Sequence, residues 1–210
     1  EAPVETPRIA AVAIGDARAE QWGDDERPVD FHDLKGDLDS LAACAGARLQ
    51  YRPSQQPQGH PGRSADVYRD DQRIGWIGEL HPRLLRALDL DHAAVGFEVD
   101  LEPLRRRALP RLQALGRFPS VRRDLAFVVP EAVTWAAIET SIQTVAGPLL
   151  VGLGLFDVYA GKGVESGFKS LAMGLILQEK SRTLTEQDVE EVVQRVTDAL
   201  QHEHGARIRS

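Results

Sequence analysis

Arg117-Phe118-Pro119-Ser120-Val121-Arg122-Arg123-Asp124-Leu125 opens the stretch whose period decides the fold. It runs on through Leu155-Phe156-Asp157-Val158-Tyr159 and Lys169-Ser170-Leu171-Ala172 to Arg207-Ile208-Arg209. The order is strand, helix, strand, strand, helix, strand, the split βαβ pattern. Such a chain makes one sheet with helices on one face and an open face opposite. Residues two apart in a strand share a face. Strict alternation groups Leu125, Phe127 and Val129 in the first strand, and Phe156 with Val158 in the second. In the third it groups Lys169, Leu171, Met173, Leu175 and Leu177. These bulky sets are expected to meet the helices, with Phe127, Phe156 and Val192 buried. The fourth strand is expected to bury Ile208. Asp157, Tyr159, Ser170, Ala172, Ala126, Arg207 and Arg209 are left on the open face, with Leu155 on the same side as Asp157. Lys169 belongs to the buried set by period, so it is placed at the strand start with its amine reaching solvent.

One aromatic ring beside small residues and a carboxylate, with cations at the edge, suits an unstacked RNA base. Single-stranded RNA is read by stacking on aromatics and by hydrogen bonds to base edges. A lone tyrosine on a sheet face also serves as packing, and the pattern alone leaves both roles open. The helices support the frame. Trp135, Ile138, Ile142 and Val145 have helical spacing, with Thr134 as N-cap. Leu184 and Val189 bracket Thr185 as a hydrophobic staple, with Asp188 at the third helical position. Val189, Val192, Val193, Val196 and Leu200 form one stripe, and Gly205 ends it.

The Arg-Phe-Pro-Ser-Val-Arg-Arg-Asp-Leu entry, Phe-Asp-Val-Tyr, Lys-Ser-Leu-Ala and Arg182-Thr183-Leu184-Thr185 together carry a resemblance. This half resembles the ferredoxin-like anticodon-binding domain of the β subunit of bacterial phenylalanyl-tRNA synthetase. Val29-Asp30-Phe31-His32-Asp33-Leu34-Lys35-Gly36-Asp37, His60-Pro61-Gly62-Arg63-Ser64-Ala65 and Ile74-Gly75-Trp76-Ile77-Gly78-Glu79-Leu80-His81-Pro82 are similar to the segment before that domain. In that family this is the end of a catalytic-like domain that has lost catalysis. The resemblance therefore implies an α+β chain in two parts. Residues 1–112 are the remnant of a class II synthetase-like antiparallel sheet domain, and residues 113–210 a ferredoxin-like βαββαβ domain.

It also implies a function: a noncatalytic part of phenylalanine–tRNA ligase that reads the anticodon loop of phenylalanine tRNA and helps hold the assembly. The α subunit, in an α2β2 assembly, would join phenylalanine to tRNA with ATP and magnesium, in the cytoplasm. Residue by residue, Asp157 and Tyr159 match the acidic and aromatic positions that meet the first anticodon base, a guanine. Ser170 matches a neighbouring contact, and Lys169, Arg122 and Arg123 are offered for phosphates. Ala160 stands where relatives can carry a basic residue, which implies the loss of one phosphate contact. The alternative function is a small-molecule sensing module, since split βαβ sheets also bind amino acids; it calls for a polar pocket at a dimer interface.

Composition bounds these expectations. A chain of 210 residues suggests one or two domains. It begins at Glu1 rather than Met, as expected for a piece of a longer protein. The formal net charge is −7, and the second half is slightly acidic by count. A non-specific nucleic-acid binder is strongly basic, so phosphate attraction alone is not expected to hold RNA here. No apolar run has the length of a membrane span, and no signal-peptide pattern opens the chain. Cys44, the single cysteine, falls among Leu38, Leu41 and Ala42 and is expected to be a buried thiol.

Nothing in the chain predicts catalysis on its own, or a cofactor or metal. A phosphate loop is missing, no histidine pair has zinc-motif spacing, and the Arg-bearing ATP motifs of class II synthetases do not appear. Gly161-Lys162-Gly163 reads as a hairpin turn, and His202 with His204 as a solvated pair at a helix C-terminus.

In the first half, Ile9–Ile14 and Val95–Val99 read as strands, Leu34, Leu38 and Leu41 as a helix, and His81-Pro82 as the start of a short helix through Leu88. Ala65–Tyr68 and Ile74–Leu80 flank a turn at Asp70-Asp71-Gln72. Tyr51–Arg63, rich in Pro, Gln and Gly, reads as a loop and a possible interface. Leu109–Gly116 is the candidate linker.

Overall fold

Residues 5–23, 25–107 and 116–209 are described by a computed structural model of the chain. They fall into two units, with the division between Arg111 and Leu112. The predicted linker Leu109–Gly116 lies almost wholly outside the described residues.

The first unit contains β1 (Arg8–Ile14), α1 (Phe31–Cys44), β2 (Gln50–Pro53), β3 (Gly59–Arg69), β4 (Gln72–Leu80), α2 (Pro82–Ala87), β5 (Ala94–Asp100) and α3 (Leu101–Arg105). Its five strands pair antiparallel in the order β1-β5-β4-β3-β2. Leu34, Leu38 and Ala42, four residues apart on α1, form one core with Val67, Ile77, Val95, Phe97 and Val99. The β3–β4 turn is tight because Asp70 and Asp71 both take positive φ, 49° and 60°. Aspartate tolerates that region better than most residues.

Two expectations for this unit need correction. Tyr51–Arg63 is not one loop: Gln50–Pro53 pairs with Ala65–Tyr68, and β3 already begins at Gly59. Pro53 fits because β2 is an edge strand, where a missing N–H costs no ladder bond. Cys44 is exposed rather than buried. It stands two positions beyond Ala42, and two helical residues turn a side chain about 200° away from the buried stripe.

The second unit contains β6 (Val121–Pro130), α4 (Trp135–Ala146), a 3-10 turn (Gly147–Leu149), β7 (Leu150–Tyr159), β8 (Phe168–Leu177), α5 (Glu186–His204) and β9 (Arg207–Ile208). Its strands pair antiparallel in the order β7-β8-β6-β9. Both helices pack on one face. Ile138, Ile142 and Ala146 of α4 and Val189, Val192, Val196 and Leu200 of α5 share a core with Phe127, Val129, Leu171, Met173, Leu175 and Leu177. Ser141 joins the two helices: its Oγ donates to Glu203 Oε2 at 2.5 Å and lies 2.8 Å from His204 Nε2. His204 is thus held between helices and is not one of a solvated pair.

The helix ends follow the sequence signals. Thr134 caps α4 by accepting from the Ala137 N–H. Thr185 and Asp188 form a reciprocal capping box on α5, and Gly205 closes that helix in the left-handed region, with φ 63°. The Asp188 carboxylate also takes both terminal nitrogens of Arg182, at 2.6 and 2.7 Å. Arg182 first, then the Thr185 donors, hold the Asp188 carboxyl well below the usual carboxylate range.

A carboxyl depressed in the folded state stabilises above its unfolded pKa, about 4, and loses that contribution as pH falls through its folded value. Asp188→Asn should therefore lower Tm at neutral pH. The gap from wild type should close as pH drops below about 4. Thermal melts of both chains across that range measure it, and a gap that stays constant contradicts the assignment.

The pairing of β7 shifts register twice, between Leu150 and Gly152 and between Leu155 and Asp157, and the second shift breaks the expected alternation. Leu155 pairs with Met173, but Asp157 pairs with Ala172, so Phe156 is an extra residue in a β-bulge. Leu155 therefore faces the helices beside Leu153, and both pack on the core. Phe156 is not buried; it is 56% exposed. Beyond the bulge the alternation resumes, and Asp157 and Tyr159 fall on the open face as expected. Ile208 also departs from expectation: it pairs with Phe127 but remains 57% exposed. A two-residue edge strand has no outer neighbour to cover it.

Candidate RNA-binding face

The register lays out the open face in rows. Arg207, Val128, Ser170 and Tyr159 make one; Ala126, Ala172 and Asp157 the next; Asp124, Gly174 and Gly154 a third; and Arg122, Ile176 and Gly152 the last. Small residues dominate the middle, so the backbone lies near the surface there.

Tyr159 is fixed in place. Its Oη donates to the Lys162 carbonyl at 3.1 Å. Its ring lies so close to Gly161 that a Cβ there would stand 3.0 Å from the hydroxyl oxygen. The Arg209 guanidinium comes within 5.4 Å of the ring centroid. Arg209 follows β9 at one edge and Tyr159 ends β7 at the other, three strand spacings or about 14 Å apart. The two side chains therefore reach across the sheet, and Ser170 beneath them is only 3% exposed. Asp157 is exposed in the neighbouring row, and no side chain among the described residues engages its carboxylate. Its oxygens are available to a donor from outside.

Arg122 belongs to this face, but Arg123 and Lys169 do not. Arg122 donates through Nε to Asp124 Oδ1 at 2.7 Å. Arg123 pairs with Leu175 on the helix side and is bound to Glu186 at the start of α5. Lys169 has the same parity as Leu171, and its amine donates to the Glu131 carbonyl at 2.9 Å. The open face thus gathers Asp157, Tyr159, Ser170 and Arg122 and separates them from the other two candidates.

Sequence reasoning found one ring where the structure has three. Phe156 reaches the open face through the bulge, and Phe168 shares the parity of Ser170. Each ring has an arginine against it: Arg122 at 5.6 Å from Phe156, Arg209 on Tyr159, and Arg207 at 4.8 Å from Phe168. The alternation of Phe168 with Ser170 was a signal available in the sequence; the bulge was not. An arginine-bordered aromatic surface thus exists within an acidic chain, with Arg122 paired to Asp124 at 2.7 Å and Arg207 to Glu165 at 3.1 Å.

In the first unit, a polar cleft is lined by Arg8, Arg73, Trp76, Glu98 and Asp100, among others. Its charges are already paired, Arg8 with Glu98 at 2.9 Å and with Asp100 at 3.0 Å, and Arg73 with Asp66 at 3.0 Å. Among the described residues, no cluster of three or more His, Cys, Asp or Glu side chains is placed to hold a metal ion. No described helix is long and apolar enough to cross a membrane.

Comparison with known proteins gives two family matches. Residues 1–101 match the phenylalanyl-tRNA synthetase β chain CLM domain, and residues 116–209 match the ferredoxin-fold anticodon-binding domain. Among individual proteins, the chain is 60% identical over 209 residues to the phenylalanine–tRNA ligase β subunit of Xanthomonas campestris pv. campestris (strain 8004). It is 61% identical to that of Xanthomonas euvesicatoria pv. vesicatoria (strain 85-10) and 58% to that of Xylella fastidiosa (strain Temecula1). Each match covers 100% of this chain and 26% of the relative, so the chain spans about a quarter of the length of these curated relatives.

Proposed function

The chain belongs to the family of phenylalanyl-tRNA synthetase β chains, and on that premise we propose that its second unit reads the anticodon loop of phenylalanine tRNA. The sensing-module alternative is set aside by the family matches. In this proposal the chain takes no part in bond-making. The α subunit, in an α2β2 assembly in the cytoplasm, joins phenylalanine to tRNA with ATP and magnesium. The first unit contributes packing and contacts to other subunits.

What supports the site is one observation: a tyrosine ring locked by its own hairpin beside a carboxylate that no side chain among the described residues engages, on a sheet face floored by small residues. Tyr159 is the stacking platform. A ring already ordered loses little entropy when a base settles on it. Asp157 accepts from the edge of a guanine, whose N1–H and amino group are donors. Ser170 lies beneath Tyr159 and Arg209, so a base reaches its hydroxyl only if that pair shifts. Arg122 serves the backbone. Because the chain is acidic, base contacts here supply discrimination, while affinity comes from phosphate contacts elsewhere in the assembly.

Asp157→Asn tests the assignment. An amide offers one acceptor oxygen where the carboxylate offers two, so discrimination at the guanine should be blunted. Binding of normal and guanine-replaced anticodon stem-loops is compared for wild-type and variant synthetase at one salt concentration, because phosphate contacts depend on salt. Unchanged discrimination would remove Asp157 from the site.

A further inference from the structure

The bulge in β7 moves a large apolar ring to a place where packing does not need it. Phe156 is 56% exposed on the open face, while its chain neighbour Leu155 fills the core position. The surface beside it is bare on one side. Gly154 and Gly174 pair across β7 and β8; a Cβ built on Gly154 would meet nothing within 4 Å, whereas one on Gly174 would meet Asp124 Oδ1 at 3.0 Å and Arg122 Nε at 3.2 Å, so the Arg122–Asp124 pair covers that glycine. A planar group can therefore lie flat against the backbone next to the phenylalanine ring. Arg122 borders the same space, 5.6 Å from the ring centroid and tied to Asp124. A ring, open backbone at Gly154 and a guanidinium of which Asp124 engages the Nε are parts from which single-stranded nucleic-acid sites are built.

We infer that Phe156, Gly154 and Arg122 form a second nucleotide subsite, which takes an unstacked base of the RNA strand whose guanine is held at Tyr159. The inference rests on the anticodon-loop function proposed above. Phe156 supplies the stacking surface, Gly154 the room, and Arg122, held through Nε by Asp124, its terminal nitrogens for the phosphate. Three residues of strand separate Phe156 from Tyr159, at most about 10 Å, so the two rings serve one strand of RNA. An apolar peptide fits the place less well, because Arg122 and Asp124 flank the ring and the glycine floor offers no pockets for side chains. No element of the subsite reads a base edge in the way Asp157 does. Its contribution is affinity with little sequence preference, as stacking platforms give.

The test uses the complete synthetase with wild-type sequence, Phe156→Ala, Phe156→Leu or Tyr159→Ala. The probes are the anticodon stem-loop of phenylalanine tRNA and versions made abasic at each loop position in turn. Phe156→Ala and Phe156→Leu should both weaken the intact stem-loop between about five- and a hundred-fold. One abasic position should bind wild type and the Phe156 variants alike, and it should differ from the position that does so for Tyr159→Ala. Full binding by Phe156→Leu would mean that bulk, not a ring, is needed, and would overturn the subsite. So would normal RNA binding by both Phe156 variants, or a loss confined to subunit assembly, which would make the patch a protein contact. In those cases a loss in Tyr159→Ala alone leaves the anticodon-loop function standing. If neither ring matters, that function fails with it.

Discussion

Phe127→Ala is expected to destabilise the second unit by about 3–5 kcal/mol, the usual cost of removing a buried aromatic ring. Phe127 is 1% exposed in the centre of β6, where α4, α5 and β8 contribute to one core. The same substitution at Phe156 should change stability by no more than about 0.5 kcal/mol, as for most surface positions. The pair tests the register of β7 directly. Both residues are phenylalanine in a strand, and strict alternation assigns both to the core. Only the bulge separates them. Amide hydrogen exchange at α4 and α5 reports this unit without interference from the first. A loss at Phe156 as large as that at Phe127 would mean that β7 pairs one residue out of the register described, since a slip of one residue exchanges the faces.

Tyr159→Ala is expected to weaken binding of the anticodon loop by roughly 1–3 kcal/mol, the worth of one base–aromatic stack. Stability should change little, because the ring is 37% exposed and lies outside the core. Tyr159→Phe separates the two parts of the effect. It keeps the ring but loses the hydrogen bond to the Lys162 carbonyl that fixes it. A smaller loss of affinity than in Tyr159→Ala is expected there, because the ring remains but is no longer held in place before the base arrives. The measurement is the affinity of the complete synthetase for phenylalanine tRNA at one fixed salt concentration. Unfolding of the chain by Tyr159→Ala, or wild-type affinity in that variant, would make the tyrosine a structural residue and leave the open face without its platform.

Local chemistry made much of this protein legible in advance. The six-element order of the second unit follows from period. The helix ends follow from single residues: Thr134, Thr185 with Asp188, and Gly205 each satisfy backbone groups within a turn of themselves. Asp157 and Tyr159 were placed correctly because they are two apart and lie beyond the bulge, where alternation holds. The family resemblance was readable because several short motifs recur together.

What the sequence could not carry was set by pairing between strands distant along the chain. The β7 bulge depends on how Leu155 and Asp157 meet Met173 and Ala172, and alternation within β7 alone contains no sign of it. Lys169 and Arg123 were offered for phosphates on the resemblance; parity and local partners place both on the helix side of the sheet. Cys44 and Ile208 were assigned by apolar character, yet helix rotation exposes one and a missing outer strand the other. The arginine on each open-face ring is the clearest case. Arg122, Arg207 and Arg209 meet Phe156, Phe168 and Tyr159 only because pairing joins β7, β8, β6 and β9 into one sheet, across which these side chains reach. Composition gave a net negative chain; the sheet brought Arg122, Arg207 and Arg209 against three rings on one face, with Arg122 paired to Asp124 and Arg207 to Glu165, so stacking surface rather than net charge distinguishes that face.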